Sequence, residues 1–304
     1  MRARIWAAII VSSIGWGTAG IATRAALQEG VGPFTIIGLR MLIAATALFA
    51  YLAARRHPLP TRRLWLLGAV IGLTNLTAPY ILFTLAVQHA SAGFLSLIIT
   101  NIPLATAVWA HFLLPEESLS PRKAVGLLLA ASGVALLLAT GTSGLGDAGR
   151  AGPSAAMALS GVVIAAFGGV HARRHAPNHD ILDLAGPQFA LAAAVLIPTM
   201  LATEGLPTAV SAAGWGLVVY MAFTGTFMPF LLFFWMLQRV SATTASLPSY
   251  LIPVIAVAGG ALLLGEEVTW LMAGAGALIL AGVVFTERAE PGPPAAGPGP
   301  EVAL

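Results

Sequence analysis

The sequence predicts an all-α integral membrane protein of ten transmembrane helices, arranged as two inverted five-helix repeats. Three observations carry this prediction: a very apolar composition, ten long apolar runs, and a sequence pattern that recurs after 150 residues. With 58% hydrophobic and 9% charged residues among 304, the chain has too little polar surface to cover a soluble globule. We therefore expect most of the chain to lie in a lipid bilayer.

Each apolar run is long enough to cross a bilayer, which takes about 20 residues. The predicted spans one to ten are residues 5–27, 33–54, 64–88, 91–114, 121–140, 153–172, 180–203, 212–238, 241–264 and 269–286. The first run also fits a signal peptide, because arginines precede it. We favour a retained helix, because the run is longer than a signal peptide's apolar region and contains Trp16.

Four segments follow from these spans. Residues 1–140 form the first repeat, 141–152 an external linker, 153–286 the second repeat, and 287–304 a disordered cytoplasmic tail. The end of the tail, EPGPPAAGPGPEVAL, has too much proline and glycine for a helix.

The distribution of basic residues predicts the orientation in the membrane. With a cytoplasmic N-terminus, twelve Lys and Arg residues face the cytoplasm and two, Arg24 and Arg150, face outward, while Arg40 lies inside a span. This bias places both termini in the cytoplasm. The expected location is a bacterial inner (plasma) membrane. Topology thus accounts for the net charge of +3 without a nucleic-acid partner.

The repeat is easiest to see where LLPEE at 113–117 recurs as LLGEE at 263–267. At this constant offset, 18 of the 56 positions from Pro79 to Val134 are identical. The identical pairs include Pro79 with Pro229, Ser91 with Ser241, Pro103 with Pro253, and Glu116 and Glu117 with Glu266 and Glu267. Because five spans is an odd number, the second copy enters the membrane from the opposite side, an arrangement typical of transporters.

These features resemble the EamA domains of the drug/metabolite transporter superfamily. The resemblance rests on the five-plus-five duplication, the prolines inside spans four and nine, and the LLPEE and LLGEE endings before a glycine-rich helix. It implies ten helices, cytoplasmic termini and export or exchange of small metabolites, with the amino-acid exporters of the YddG type as the nearest comparison. The first copy departs from the usual pattern by having Pro115 where the second has Gly265.

Polar and aromatic residues deep in the spans are the candidates for binding a solute, because polar groups avoid lipid. The predicted binding residues are Trp16, Arg40, Thr74, Asn75, Pro79, Tyr80, Asn101, Ser246, Ser249 and Tyr250. The predicted gating or hinge residues are Pro103, Pro229, Pro253 and His171. Spans one, three, four, six, eight and nine are expected to supply the central lining.

Structural alternatives stay open for these residues. Threonine and serine often bond to their own helix carbonyls, and a central asparagine can hold two helices together. Arg40 either ties helix-end carbonyls or Glu29 in place, or captures a substrate carboxylate. His171 is either an interfacial residue or a gating or proton-handling group. The glutamate pairs are expected in loops, with Glu116 near Arg122 or Lys123.

Several absences narrow the function. There is no cysteine, no metal-ligand motif and no phosphate-binding loop, so the sequence predicts neither a metal nor a cofactor. All acidic residues map to loops, helix ends or the tail, which favours facilitated export or exchange of zwitterionic or weakly anionic solutes such as amino acids. The alternatives are a proton-coupled multidrug or metabolite exporter, a passive channel and, more remotely, an intramembrane enzyme. The expected partners are a small solute and the bilayer, and a monomer is compatible with the sequence.

Overall fold

The computed structural model describes residues 2–114, 119–141, 143–145, 149–175, 179–208 and 210–287. Glu116, Glu117 and the tail from residue 288 lie outside these ranges. The described helices of the first half are α1 (Arg2–Gln28), α2 (Pro33–Ala54), α3 (Arg62–Ile71), the π segment Gly72–Thr77, α4 (Ala78–Gln88), α5 (Ala92–Ile99), α6 (Ile102–Leu113) and α7 (Pro121–Thr140). Those of the second half are α8 (Ala151–His175), α9 (Ile181–Thr203), α10 (Ala212–Ala222), the π segment Phe223–Phe227, α11 (Met228–Leu237), α12 (Ala242–Ala245), α13 (Pro248–Leu264) and α14 (Trp270–Glu287).

Eight helices in the described ranges are long and apolar enough to cross a membrane. They correspond to predicted spans one to eight. The remaining two predicted spans coincide with the shorter apolar helices Pro248–Leu264 and Trp270–Gly282. At 1.5 Å per residue, the 17 residues of α13 extend about 26 Å, slightly less than a hydrocarbon core of about 30 Å.

Helix N-termini are capped either by a nearby serine or by a carboxylate from a distant part of the chain. The hydroxyl oxygens of Ser91 and Ser241 accept hydrogen bonds from backbone amides three residues ahead, at 2.9 and 3.0 Å. These serines are repeat equivalents, so the duplication preserves a helix cap. Gly32 has no capping side chain before α2, and the carboxylate of Glu204 accepts from Phe34 N and Thr35 N at 2.8 and 2.7 Å instead.

Both copies contain a π segment immediately before an equivalent proline. Gly72–Thr77 precedes Pro79, and Phe223–Phe227 precedes Pro229. Proline lacks an amide hydrogen and crowds the carbonyl four residues earlier, so a regular α-helix cannot continue through it. The sequence predicts a break at these prolines, and the structure shows that the break takes the form of a wider π turn.

Spans four and nine are interrupted helices. The α5–α6 break falls at Thr100 and Asn101, and the α12–α13 break falls at Ser246 and Leu247. Hydroxyl groups from elsewhere in the bundle bond to carbonyls beside the second break: Ser13 donates to Pro248 O at 3.1 Å, and Thr100 donates to Ser249 O at 3.2 Å. Such partners let irregular backbone persist inside a membrane protein.

Small residues allow helices to pack closely around the interior. A Cβ atom on Gly168 of α8 would lie 2.6 Å from the backbone nitrogen of Asn75. The backbone of the first π segment therefore occupies the space that a side chain at residue 168 would need. A Cβ on Gly133 of α7 would lie 2.7 Å from the carbonyl oxygen of Ala275 on α14. Close approach at glycine is a common way for membrane helices to associate.

Candidate functional site

A cavity of about 160 Å³ lies between spans one, two, three, four, six, eight and nine. These are the spans from which the sequence predicts the central lining, with span two added through Arg40. The described lining is mostly apolar and contains no aspartate or glutamate. Seven of the predicted binding residues line it: Trp16, Arg40, Asn75, Pro79, Tyr80, Ser246 and Ser249.

Arg40 is the charged residue of this wall and is only 3% exposed. Its Nε donates to Thr226 Oγ1 at 2.9 Å, and its Nη2 donates to Gly225 O at 3.0 Å. The guanidinium also lies over the ring of Tyr80, with Cζ 4.6 Å from the ring centroid. Among the described residues, the sole ion pair joins His57 and Asp183, so Arg40 has neutral partners. Glu29, which the sequence offered as a partner, instead accepts a hydrogen bond from Ser211.

The carbonyl oxygen of Gly225 meets two donors from other spans. Tyr80 Oη donates to it at 3.1 Å, in addition to the Arg40 bond. Pro229, four residues later, has no amide hydrogen that could bond to this carbonyl. The side chains of Arg40 and Tyr80 therefore satisfy a backbone group that the proline leaves without its helical partner, and they connect spans two and three to span eight.

Asn75 is a second polar residue of the cavity lining. The residue is 8% exposed, and its Nδ2 atom has no hydrogen-bond partner among the described residues. A buried amide without a partner is costly, by roughly 1–3 kcal/mol. Asn75 is the repeat equivalent of Gly225, so the first copy has a side-chain amide at the position where the second has a glycine whose carbonyl accepts from Arg40 and Tyr80.

An aromatic wall forms the apolar part of the cavity. The ring of Trp16 lies edge-on to Phe230 and Phe233, with centroid distances of 5.6 and 6.1 Å. Tyr80 lies 6.0 Å from Phe230. Reasoning from the sequence missed Phe230 and Phe233. The repeat carried the signal, because they are the equivalents of Tyr80 and Phe83.

The hydroxyl groups of the lining are partly occupied by their own backbone. Thr23 Oγ1 donates to Ala19 O at 2.8 Å, and Ser249 Oγ donates to Ser246 O. These bonds use the hydroxyl hydrogen and leave oxygen lone pairs as acceptors. Within the described ranges, no three His, Asp or Glu side chains come together in a way that could hold a metal ion.

Three predicted binding residues do not line the cavity. Thr74 donates to Val70 O at 2.8 Å. Asn101 donates to Ile98 O at 3.0 Å and helps end α5. Tyr250 packs against the buried cores on either side of span nine. Thr74 lies within the π segment Gly72–Thr77, where the wider turn shifts side chains relative to their positions on a regular α-helix.

The predicted hinge residues occupy different local settings. Pro103 lies in the first turn of α6, directly after the break in span four, whereas its equivalent Pro253 lies inside α13. Pro229 follows the second π segment. His171 lies outside the cavity lining and stacks on Phe167 with a centroid distance of 6.0 Å.

Glu266 is a residue whose setting the sequence reading missed. It lies in the loop between α13 and α14, as the sequence predicts, but it is buried there, and its carboxylate accepts from Ala92 N at 2.9 Å and Gly93 N at 3.3 Å. An acidic group at a helix N-terminus satisfies free amides and interacts favourably with the helix dipole. The bond joins the end of span nine to the start of span four across 174 residues of sequence, which no local pattern reveals.

Over the described residues, these features define a helical, multi-pass membrane protein with a cavity between its spans. Sequence comparison identifies the family: the profile of the EamA-like transporter family matches at residues 4–139 and again at 153–288, and the chain belongs to this family. The two matches agree with the duplication read from the sequence.

Proteins named as transporters match this chain over most of their length. The chain is 28% identical to the uncharacterized inner membrane transporter YedA of Escherichia coli (strain K12) over 276 residues, which cover 89% of this chain and 87% of YedA. It is 26% identical to the uncharacterized transporter YvbV of Bacillus subtilis (strain 168), covering 84% of this chain and 82% of YvbV. One crystal structure matches with a TM-score of 0.70 at 21% identity, covering 95% of this chain and 98% of that one, and this likeness shows the fold alone.

Proposed function

We propose that the protein is a secondary transporter that exports a small carboxylate-bearing metabolite by alternating access, with aromatic or neutral amino acids as the first candidates. Membership of a transporter family supports transport in general. The observation that carries the substrate proposal is the buried Arg40 guanidinium in the wall of a cavity whose described lining has no carboxylate.

The chemistry of arginine favours an anionic ligand at this point. Arginine stays charged in proteins, and its planar group presents five N–H donors that match a carboxylate. The two bonds to span eight use part of this capacity. A buried charge with neutral partners gains a large stabilisation when an opposite charge arrives, because the desolvation cost of the arginine has already been met.

The size of the cavity favours a small metabolite over a drug. Pockets for drug-sized ligands are about 300–1,000 Å³. The cavity here is about 160 Å³. A multidrug exporter, the main alternative, would need a considerably larger space in the substrate-bound state.

We further propose facilitated export or exchange without an ion gradient. The absence of acids from the described lining supports this, because intramembrane Asp and Glu are common proton and cation carriers. One observation favours proton coupling instead. His171 and His175 lie near the end of α8 with ring centroids 4.8 Å apart, and His171 stacks on Phe167 at 6.0 Å. Histidine can gain and lose a proton near neutral pH.

We propose that the ten predicted helices form two inverted repeats in a bacterial inner membrane, with both termini cytoplasmic. Contacts between loops support the inversion. The loop between α1 and α2 lies beside that between α9 and α10, where Ser211 bonds to Glu29. The loop between α2 and α3 lies beside that between α8 and α9, where His57 is 3.8 Å from Asp183. The loop between α1 and α2 and its repeat equivalent, the loop between α8 and α9, thus fall in different pairs of neighbouring loops, as inverted repeats require.

The direct test is transport by purified protein in proteoliposomes. Uptake and counterflow of labelled amino acids are measured with and without an imposed pH gradient. Saturable, trans-stimulated flux without the gradient supports the proposal, and flux that requires the gradient selects proton coupling. Flux that never saturates indicates a channel, and chemical conversion of the solute indicates an enzyme.

A further inference from the structure

The cavity lining carries a positive charge and no described negative charge. This imbalance distinguishes carboxylates that also carry an ammonium group from those that do not. The wall holds the Arg40 cation, and the described lining holds no Asp or Glu. A zwitterionic amino acid would place its carboxylate near Arg40 and its ammonium group in the same cavity. That ammonium group finds no carboxylate in the described lining.

Aromatic rings do not remove this difficulty. An ammonium group over an aromatic face recovers only part of the cost of leaving water. The face of Tyr80 is already occupied by Arg40, 4.6 Å from its centroid, and a second cation nearby would meet like-charge repulsion. The hydroxyls of Thr23 and Ser249 can accept from an ammonium group, but they are neutral.

The Asn75 amide provides the second, independent sign of a ligand. It lines the cavity, is 8% exposed, and its nitrogen has no partner among the described residues. An amide N–H is a donor, and a carboxylate is an acceptor at both oxygens. Arg40 thus gives the wall N–H donors beyond those bonded to span eight, and a rotation of the Asn75 side chain would bring its unpaired N–H donors to the same anion.

The remainder of the wall fits an apolar ring. Trp16, Phe230 and Phe233 stand edge to face around it, with centroid distances between 5.6 and 6.5 Å. Such surfaces hold an aromatic or branched body by burial and by edge-to-face contact. They compensate little of the desolvation cost of a charged or strongly hydrated side chain.

We infer that the cavity selects aromatic or similarly apolar monocarboxylates that lack an ammonium group, in preference to the amino acids of the same skeleton. This inference rests on the proposed export of carboxylate-bearing metabolites, and within that class it puts monocarboxylates without an ammonium group ahead of the amino acids. The carboxylate binds Arg40 and Asn75, and the ring packs against Trp16, Phe230 and Phe233.

A matched series of four ligands tests the inference. Phenylpropanoate, phenylalanine, phenethylamine and phenylpropanol share one ring and differ in their charged groups. Affinities are measured by calorimetric titration of the purified full-length chain in lipid nanodiscs. We expect phenylpropanoate to bind about tenfold or more tightly than phenylalanine, the ratio that a difference of ~1.4 kcal/mol produces, and phenethylamine to bind least.

Two arginine variants assign the preference to the site. Arg40→Gln is expected to weaken phenylpropanoate binding by about tenfold or more and to remove the discrimination against phenylpropanol. Arg239→Gln is the matched control, because Arg239 also bonds to a backbone carbonyl, that of Trp235, and lies 4.5 Å from an aromatic centroid, but outside the cavity lining. If Arg40→Gln does not fold, Arg40→Lys keeps the charge, and it should retain the preference for phenylpropanoate over phenylpropanol.

The outcomes separate this inference from the proposed function. Phenylalanine binding as tightly as phenylpropanoate, or more tightly, overturns the inference and leaves carboxylate export intact. Binding of phenylpropanol or phenethylamine in preference to both carboxylates overturns the inference and the carboxylate proposal together. Absence of binding and of counterflow for every carboxylate tested has the same consequence.

Discussion

Nη2 of Arg40 donates a hydrogen bond to the carbonyl oxygen of Gly225, 3.0 Å away on the second π segment. The bond joins span two to span eight at the point where Pro229 interrupts the helix. A solute carboxylate that binds Arg40 would therefore bind next to a break in span eight. In the alternating-access mechanism that we propose, a solute bound at Arg40 would contact the span whose π segment can change shape.

The first prediction concerns Gly225 itself. A Cβ atom there would lie 2.5 Å from Ala19 Cβ and 3.0 Å from Arg40 Nη2. We expect Gly225→Ala to push α1 and the arginine away, to lower stability by ~1–3 kcal/mol and to weaken solute binding. Thermal melting in detergent measures the first effect, and titration measures the second.

Gly216→Ala is the control for that substitution. No atom lies within 4 Å of a Cβ at this exposed position on α10, so the change should be neutral or stabilising by up to ~1 kcal/mol. Equal melting temperatures for the Gly225 and Gly216 variants would refute the close packing described here.

The second prediction concerns the adjacent glycines of α8. A Cβ on Gly168 would lie 2.6 Å from the backbone nitrogen of Asn75, whereas the nearest atom to one on Gly169 is Phe233 Cζ at 3.5 Å. Gly168→Ala should therefore reduce folded yield and melting temperature, because two backbones must separate. Gly169→Ala should fold normally and only narrow the cavity, and a similar loss of yield for both variants would count against this geometry.

The third prediction concerns Glu266 as a distant helix cap. Glu266→Gln removes the negative charge from the start of α5, and we expect a loss of ~0.5–2 kcal/mol in stability. Glu267→Gln is the matched control, because that neighbouring side chain is exposed. Melting curves of the two variants decide the matter, since an equal effect of both would show that the hydrogen bonds to Ala92 and Gly93 contribute little.

The fourth prediction concerns the inverted repeats. Leu59 and Leu206 lie in equivalent loops of the two copies, and each is 72% exposed. The chain contains no cysteine, so Leu59→Cys and Leu206→Cys each introduce a single thiol. A membrane-impermeant thiol reagent applied to intact cells should label the Leu206 variant and leave the Leu59 variant unlabelled until the cells are opened. Labelling of both from the same side would rule out inversion.

Sequence patterns succeeded where the determinant is local. The predicted bounds of spans two and five match α2 and α7 because Pro33, and Ser120 with Pro121, mark helix starts directly. Eight of the ten predicted spans are confirmed by length and hydropathy. Span nine differs because its helix is interrupted at Ser246 and Leu247, which shortens the continuous part.

The candidate site required information that a linear pattern does not carry. Arg40 was singled out as an anomaly, but its partners Gly225 and Thr226 lie 185 and 186 residues away. Thr74 lies outside the cavity lining, in the π segment of span three, and a π segment is not evident from a linear pattern. The offset of 150 residues relates Phe230 and Phe233 to Tyr80 and Phe83, so the repeat itself indicates that these two phenylalanines lie near the cavity.

The most direct test of the central claim is the charge selectivity of the cavity in the folded protein. Ala165 lines the cavity, so Ala165→Cys places a single thiol in it. Its reaction rates with an anionic sulfonatoethyl and a cationic trimethylammonioethyl methanethiosulfonate are measured, each divided by the rate with a free thiol in solution. Our account predicts a faster relative rate for the anionic reagent, loss of that preference when Arg40→Gln is added, and protection by phenylpropanoate. A relative rate for the cationic reagent that equals or exceeds that of the anionic one would contradict it.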